Sequence, residues 1–438
     1  MRLICPGLPG CGGWLTGGGH MTLHEHIHDM GRRALVASRR LAQLPADSKN
    51  TLLLAMADGL VREEADILAA NAKDVTAGQE KGLSSAMLDR LTLTSKRIAG
   101  IAQSVREVAA LTDPVGEVLS DWSRPNGLRI SKVRVPIGVI GIIYESRPNV
   151  TADAAVLCLK SGNATLLRGG SEAFHSNMAI AAVLQSAGEA GGLPPDSIQL
   201  IPFTDRESVQ HMAEMDDYLD LIIPRGGKGL IETVVRLARM PVIKHYDGIC
   251  HVYVDKAADL DMAVRLTVNS KCQKPGVCNA AETLLVHEDI AAAFYAKAVP
   301  ALRAAGVQIR GDDALRALYP DIRPATEEDW RTEYLDLILS ARSVHDIDEA
   351  LRHIAEYSSQ HSDCIVTEDA EAATAFLNEV DSAAVFWNAS TRFNDGGEFG
   401  FGCEIGISTD KLHARGPMAL PELTSYKYLV RGNGQVRE

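Results

Sequence analysis

The chain has 438 residues, of which 46% are apolar and 23% charged, with a formal net charge of −13. That length calls for two or three domains rather than one core, and the composition is that of a soluble globular protein. No Lys/Arg run reaches five residues, which argues against a nucleic-acid or membrane-surface role, and no apolar stretch approaches the ~20 residues of a bilayer span.

Residues 1–20 are rich in Gly and Pro, lack a continuous apolar segment and read as a disordered extension. Residues 22–115 read as helical. Leu53, Met56, Ala57 and Leu60 form one apolar stripe, and Ser48, after Pro45, is the expected N-cap. The histidines of "HEHIH" (24–28) read as a solvated helix start, not a metal site. Around Pro125-Asn126-Gly127 two β-type runs imply a hairpin over 117–135.

From 137 to 245 apolar runs alternate with helical segments. Strands are expected at 137–143, 164–167, 198–201, 219–223 and 241–245, with helices at about 151–161, 172–190, 205–215 and 228–239. This is a βαβ series and so a mostly parallel, doubly wound sheet, which binds ligands at the carboxyl ends of its strands. After residue 250 a second α/β set follows, with strands "HVYVD", "ETLLVH", "LDLILS" and "DCIVTED"; "NDGGEFGFGCEIG" (394–406) is loop-like, and "ELTSYKYLVRG" returns to β character.

Two strand-to-helix turns are glycine-rich and carry a cation: Arg168-Gly169-Gly170-Ser171, and Arg225-Gly226-Gly227-Lys228-Gly229. Each alone is an ordinary turn. Two in one sheet favour a cofactor with phosphates, because glycine admits close backbone approach and a helix N-terminus favours an anion. The G-x-G-x-x-G fingerprint is absent.

Eight cysteines are scattered along the chain and read as free thiols of a reducing compartment, the cytoplasm. Cys272 and Cys278, in "KCQKPGVCNA", form no C-x2-C pair, which argues against zinc. Cys278 follows Pro275-Gly276-Val277 and leads into a strand. Such a turn exposes a side chain beside backbone N–H groups that can hold an oxyanion. On residues alone a buried, inert thiol is an equal reading.

The combination resembles the aldehyde dehydrogenase superfamily. "YESRPNVT" and "KPGVCNAAETLLVH", with "IIPRGGKGLI", "DGICHVYVD", "TEYLDLILSARSV", "SSQHSDCIVTED" and "FNDGGEFGFGCEIGIST", are similar to its branch that reduces glutamyl 5-phosphate to glutamate 5-semialdehyde in proline biosynthesis; the match covers most of residues 40–430. The resemblance implies an α/β, aldehyde-dehydrogenase-like fold. A doubly wound Rossmann-like cofactor domain (21–116 and 132–247, with 401–420 returning to it) would join an α/β catalytic domain (248–400). A small β oligomerisation element (117–131 and 421–438) would make a homo-oligomer.

By the same resemblance Cys278 is the nucleophile and Asn149 an oxyanion donor. Arg168 and Ser171 meet the adenosine ribose, and Glu333 contacts the nicotinamide ribose. Arg168 and Ser171, with no acid at the strand end itself, favour NADPH. The superfamily's hydrolytic glutamate falls at His245, so a carboxylate base for water is expected to be missing. Glu145 and Arg147 are candidates for gripping substrate, and Lys274 with Arg147 for binding phosphate; all three read equally as surface charges. Glutamate 5-kinase is the partner that would deliver the labile acyl phosphate. A hydrolytic aldehyde dehydrogenase and a non-catalytic protein of the same fold are the rival readings.

Overall fold

The computed structural model describes residues 21–437; the expected extension over 1–20 lies outside the described residues. Five helices open the chain, Leu23–Leu41, Ala46–Arg62, Glu64–Glu80, Ser85–Leu91 and Ser95–Ala110. Thr22 and Glu25 form a reciprocal capping box at the first. The second is capped by Pro45 in extended conformation, so Ser48 falls inside the first turn and not at the expected cap. The stripe of Leu53, Met56, Ala57 and Leu60 is fully buried in the core of the first sheet and its helices.

Strand β1 (Val118–Ser123) and β2 (Arg129–Pro136) form the expected hairpin. Next come β3 (Val139–Tyr144), β4 (Ala164–Gly169), β5 (Ile198–Leu200) and β6 (Leu221–Arg225), all parallel, in the order β5-β4-β3-β6. Every residue of β3 is buried, as expected where helices cover both faces. The order reverses between β3 and β6, so the crevice opens at Tyr144 and Arg225.

The strand expected over 241–245 does not form; only one bridge, Ile222 to Val242, joins it to the sheet. Lys244 instead bonds Asp410 through its N–H (3.2 Å) and ammonium (2.6 Å), and His245 bonds the Ile407 carbonyl. Tertiary partners draw this segment out of the sheet.

A second parallel sheet holds β7 (Cys250–Val254), β8 (Ala281–His287), β9 (Gln308–Gly311), β10 (Arg323–Pro324), β11 (Ile338–Val344), β12 (Ser362–Val366) and β13 (Ala384–Trp387), in the order β10-β9-β11-β8-β7-β12-β13. Strand β11 starts later than "LDLILS" suggests, because Leu335 is left-handed (φ 54) and its N–H turns to Glu282. The short strands β9, β10 and β13 add to the expected set.

Strands β14 (Ile407–Ser408) and β15 (Gly416–Pro417) pair with each other, while Ile405, Met418 and Leu420 pack into the core of the first sheet. Strand β16 (Thr424–Arg431) returns to pair with β2, completing a three-stranded sheet that exposes Trp122, Tyr426, Tyr428 and Val430. Among the described residues no helix is long and apolar enough to cross a membrane.

Candidate active site

Helix Leu260–Cys272 ends at Cys272, and Pro275-Gly276 turns the chain towards β8. Cys278 lies half-buried in that turn, which the Ala280 N–H closes by donating to the Val277 carbonyl (3.1 Å). From below, the Cys250 thiol donates to the Cys278 carbonyl (3.1 Å). The backbone N–H of Cys278 has no acceptor among the described residues, and so is free to meet an oxyanion. Burial pushes the thiols of Cys158, Cys364 and Cys403 up to about 12 and raises those of Cys250 and Cys272. These five are held as unreactive thiols.

A ring nitrogen of His245, a ring nitrogen of His361 and the Cys278 sulfur lie within 4.8 Å of one another. His245 Nδ1 is 2.8 Å from the Ile407 carbonyl. A carbonyl only accepts, so Nδ1 carries the hydrogen of the neutral ring and Nε2 carries a lone pair. His361 is wholly buried, with Nδ1 2.8 Å from Ser362 Oγ and Nε2 unpartnered; burial pushes its pKa down to about 4. No carboxylate oxygen belongs to this cluster among the described residues. Sequence reasoning singles out His245 and misses His361, although "SSQHSDCIV" contains it.

Around the thiol stand arginines without partners. The side chains of Arg90, Arg147 and Arg225 make no hydrogen bond or ion pair among the described residues. Arg90, from helix Ser85–Leu91, brings Nη2 to 3.6 Å from where a Cβ on Gly276 would stand. Arg225 leaves the end of β6 and lies against Gly406. Desolvation lowers the pKa of Arg147, with Arg90 and Arg225 adding to the effect and Cys278 opposing it. Arg392 bonds Gln273 (2.8 Å) and the Asn279 side chain beside Cys278. Lys274 is exposed and makes no such bond among the described residues.

Two expected contacts are redirected. The Glu145 carboxylate accepts from the Gly227 N–H (2.9 Å), at the start of helix Lys228–Leu237. Asn149 donates to Asp153 (2.8 Å), whose burial raises its pKa to about 6, so that amide hydrogen is engaged inside its own helix.

The cofactor-side strand ends fit a dinucleotide. Beyond β4 and β5 a cavity of about 400 Å³ is lined by Lys81, Ser171, Glu172, His175, Thr204 and Asp205, room for a nucleoside. A Cβ at Gly227 would meet nothing within 4 Å, whereas at Gly226 a Cβ would press on the Glu145 carboxyl carbon (2.7 Å); the Glu145 carboxylate itself fills the anion position at the head of this helix. Gly169 and Gly170 pack tightly instead, against Asn177 and Glu172. Arg168 is not free to meet a ribose phosphate. It is buried and donates to the carbonyls of Thr204 (2.9 Å) and Asp205 (3.3 Å) and to Ser208 (3.2 Å). Glu333 stands near Gly248, Asp247 and His361, and burial raises its pKa.

Residues 19–316 match the aldehyde dehydrogenase family. The γ-glutamyl phosphate reductase of Moorella thermoacetica is 58% identical over 418 residues, covering 95% of this chain and all of its own. That of Geotalea daltonii is 53% identical with the same coverage. The crystal structure of γ-glutamyl phosphate reductase from Thermotoga maritima, 48% identical, covers 94% of this chain and 100% of its own with a TM-score of 0.93. The chain belongs to the γ-glutamyl phosphate reductase family.

As a member of that family it is an oxidoreductase of the aldehyde dehydrogenase fold. An acetylating aldehyde dehydrogenase from Geobacillus thermoglucosidasius, 17% identical with a TM-score of 0.68, shares the fold alone. The surroundings of Cys278 are built by three separate segments, around Gly248, Cys278 and His361. Arg90 and Lys81 come from the N-terminal helices, where charged residues carry no sequence signal of their own.

Proposed function

We propose that the chain reduces L-glutamyl 5-phosphate to L-glutamate 5-semialdehyde with release of phosphate. The observation that carries this reading is the setting of Cys278: a thiol with two imidazoles, unpartnered arginines nearby and no carboxylate oxygen in its cluster. A hydrolytic dehydrogenase needs a base for water. A reductase of an acyl phosphate needs a nucleophile and a place for phosphate.

His245 Nε2 takes the thiol proton, and Cys278 Sγ attacks the acyl carbon. The carbonyl oxygen gains charge against the Cys278 N–H. The carbon–oxygen bond to phosphate breaks as the His245 Nε2 proton passes to the leaving oxygen, giving a thioester and hydrogen phosphate dianion, which Arg90, Arg147 and Arg225 receive. The cavity at Lys81 and Ser171, together with Glu333, would hold a nicotinamide cofactor, which when bound would supply hydride to the thioester carbon. The thiohemiacetal then collapses to the aldehyde, and the thiolate recovers a proton from solvent by way of His245.

We take the cofactor to be NADPH, with Lys81 as the cation for the 2′-phosphate in place of Arg168. The exposed face of β1, β2 and β16, with Trp122, Tyr426, Tyr428 and Val430, supports a homo-oligomer. The six described cysteines are all free, in keeping with a cytoplasmic enzyme. Association with glutamate 5-kinase follows from the lability of the acyl phosphate.

The test runs the reaction backwards. Semialdehyde-dependent NADP+ reduction should stop after one enzyme equivalent without phosphate and turn over with it. Sustained turnover to glutamate in its absence would overturn the reading.

A further inference from the structure

The two histidines beside Cys278 are disposed as donor atoms for a metal as well as acceptors for a proton. The structure assigns to His245, Cys278 and His361 a binding site for one borderline-soft divalent cation, Zn2+ above all, whose occupation caps the nucleophile and holds the enzyme reversibly inactive. Two imidazoles and a thiolate are a zinc-type donor set, and with no oxygen donor in the cluster Mg2+ and Ca2+ are disfavoured.

Each imidazole is already held from behind. His245 gives Nδ1–H to the Ile407 carbonyl (2.8 Å), and His361 Nδ1 meets Ser362 Oγ (2.8 Å). Metal-bound histidines are oriented by just such outer bonds. The Nε2 of His361 is fully buried and lacks any partner among the described residues, a cost a metal bond would remove.

Zn–S and Zn–N bonds of about 2.3 and 2.0 Å set tetrahedral donors roughly 3.5 Å apart. The present atoms lie within 4.8 Å, and rotation of the half-buried Cys278 side chain closes the difference. Arg147 and Arg225 oppose a cation here, while Glu333 and Glu404, both acting on His361, favour it. Water would complete the fourth position. Binding exchanges the S–H bond for S–Zn and releases one proton.

Chelator-stripped full chain is titrated with ZnCl2 calorimetrically in phosphate-free buffer, and alkylation of Cys278 by iodoacetamide is followed by peptide mass. One Zn2+ per chain is expected, with about one proton released. Alkylation of Cys278 should slow at least ~10-fold and recover with EDTA, and a ~10-fold excess of Mg2+ should not protect. His361→Asn and His245→Gln should each weaken Zn2+ at least ~10-fold; His245 is half-exposed, so its variant carries the test if the buried one does not fold. No binding at about 100 μM Zn2+, binding that leaves Cys278 open to alkylation, protection by Mg2+, or affinity kept within about twofold in His245→Gln would each overturn the site.

Discussion

Gly248 lies flat against the backbone of Cys278: a Cβ at position 248 would overlap the Cys278 Cα and carbonyl oxygen and stand 2.6 Å from its carbonyl carbon. Backbone atoms cannot yield as a flexible side chain does. Gly248→Ala should therefore displace the reactive turn and lower kcat about 100-fold, with a smaller fall in Tm. Steady-state kinetics beside thermal unfolding separate the two effects, and a kcat within threefold of the unmodified enzyme would refute the positioning role.

Cys278→Ala should abolish turnover by several orders of magnitude while the protein stays folded, because covalent catalysis is lost outright. Cys272→Ala should stay within about tenfold, since that thiol is raised by burial at the helix end. Kinetics on both variants with circular dichroism check the pair.

Arg90→Gln should raise the KM for phosphate in the reverse reaction about tenfold, the loss of one charge-assisted hydrogen bond at ~1.4 kcal/mol. The KM values for semialdehyde and NADP+ should hardly move. The exposed side chain has no structural partner among the described residues, so folding should be unaffected. A change confined to the semialdehyde KM would assign Arg90 to the amino-acid end instead.

Cofactor preference should follow Lys81 and not Arg168. Lys81→Ala, at the rim of the cavity, should narrow the NADPH/NADH ratio of kcat/KM about tenfold. Arg168→Ala should mainly lower Tm, because its buried guanidinium ties down Thr204 and Asp205. The opposite pattern, read from kcat/KM with each cofactor, would return the 2′-phosphate to Arg168.

His353 is buried with both ring nitrogens unpartnered among the described residues, and burial, with His251 and Arg342 adding, pushes its pKa down to about 2. Its folded pKa is depressed, so below the ordinary histidine range the unfolded chain binds a proton that the folded one refuses. Stability is then fully present above about pH 6.5 and falls as the pH drops, by ~1.4 kcal/mol per pH unit for one proton. His353→Leu should flatten the acid side of a denaturation-midpoint profile between about pH 6.5 and 4.5; an unchanged slope would disprove it.

Periodicity carries the reading furthest where the chain packs against itself repeatedly. The parallel strands β3, β4, β7 and β8 are short, buried stretches rich in apolar residues, and a stretch of that kind is legible without any partner. The segment 241–245 has the same composition and is not a strand, because Asp410 and Ile407 claim its polar groups. Arg168, likewise, reads as a free cation at a strand end until its bonds to Thr204 and Asp205 are seen.

By itself the sequence determined the two α/β sheets, the glycine turns beyond their strands and the cysteine in "PGVCNA", since each is written within one contiguous stretch whose local chemistry is sufficient. Only the tertiary structure decided what surrounds that cysteine. Gly248, His361, Arg225 and Arg90 reach it from four distant segments, and the direction of a polar side chain is set by which partner satisfies it, a choice made in three dimensions.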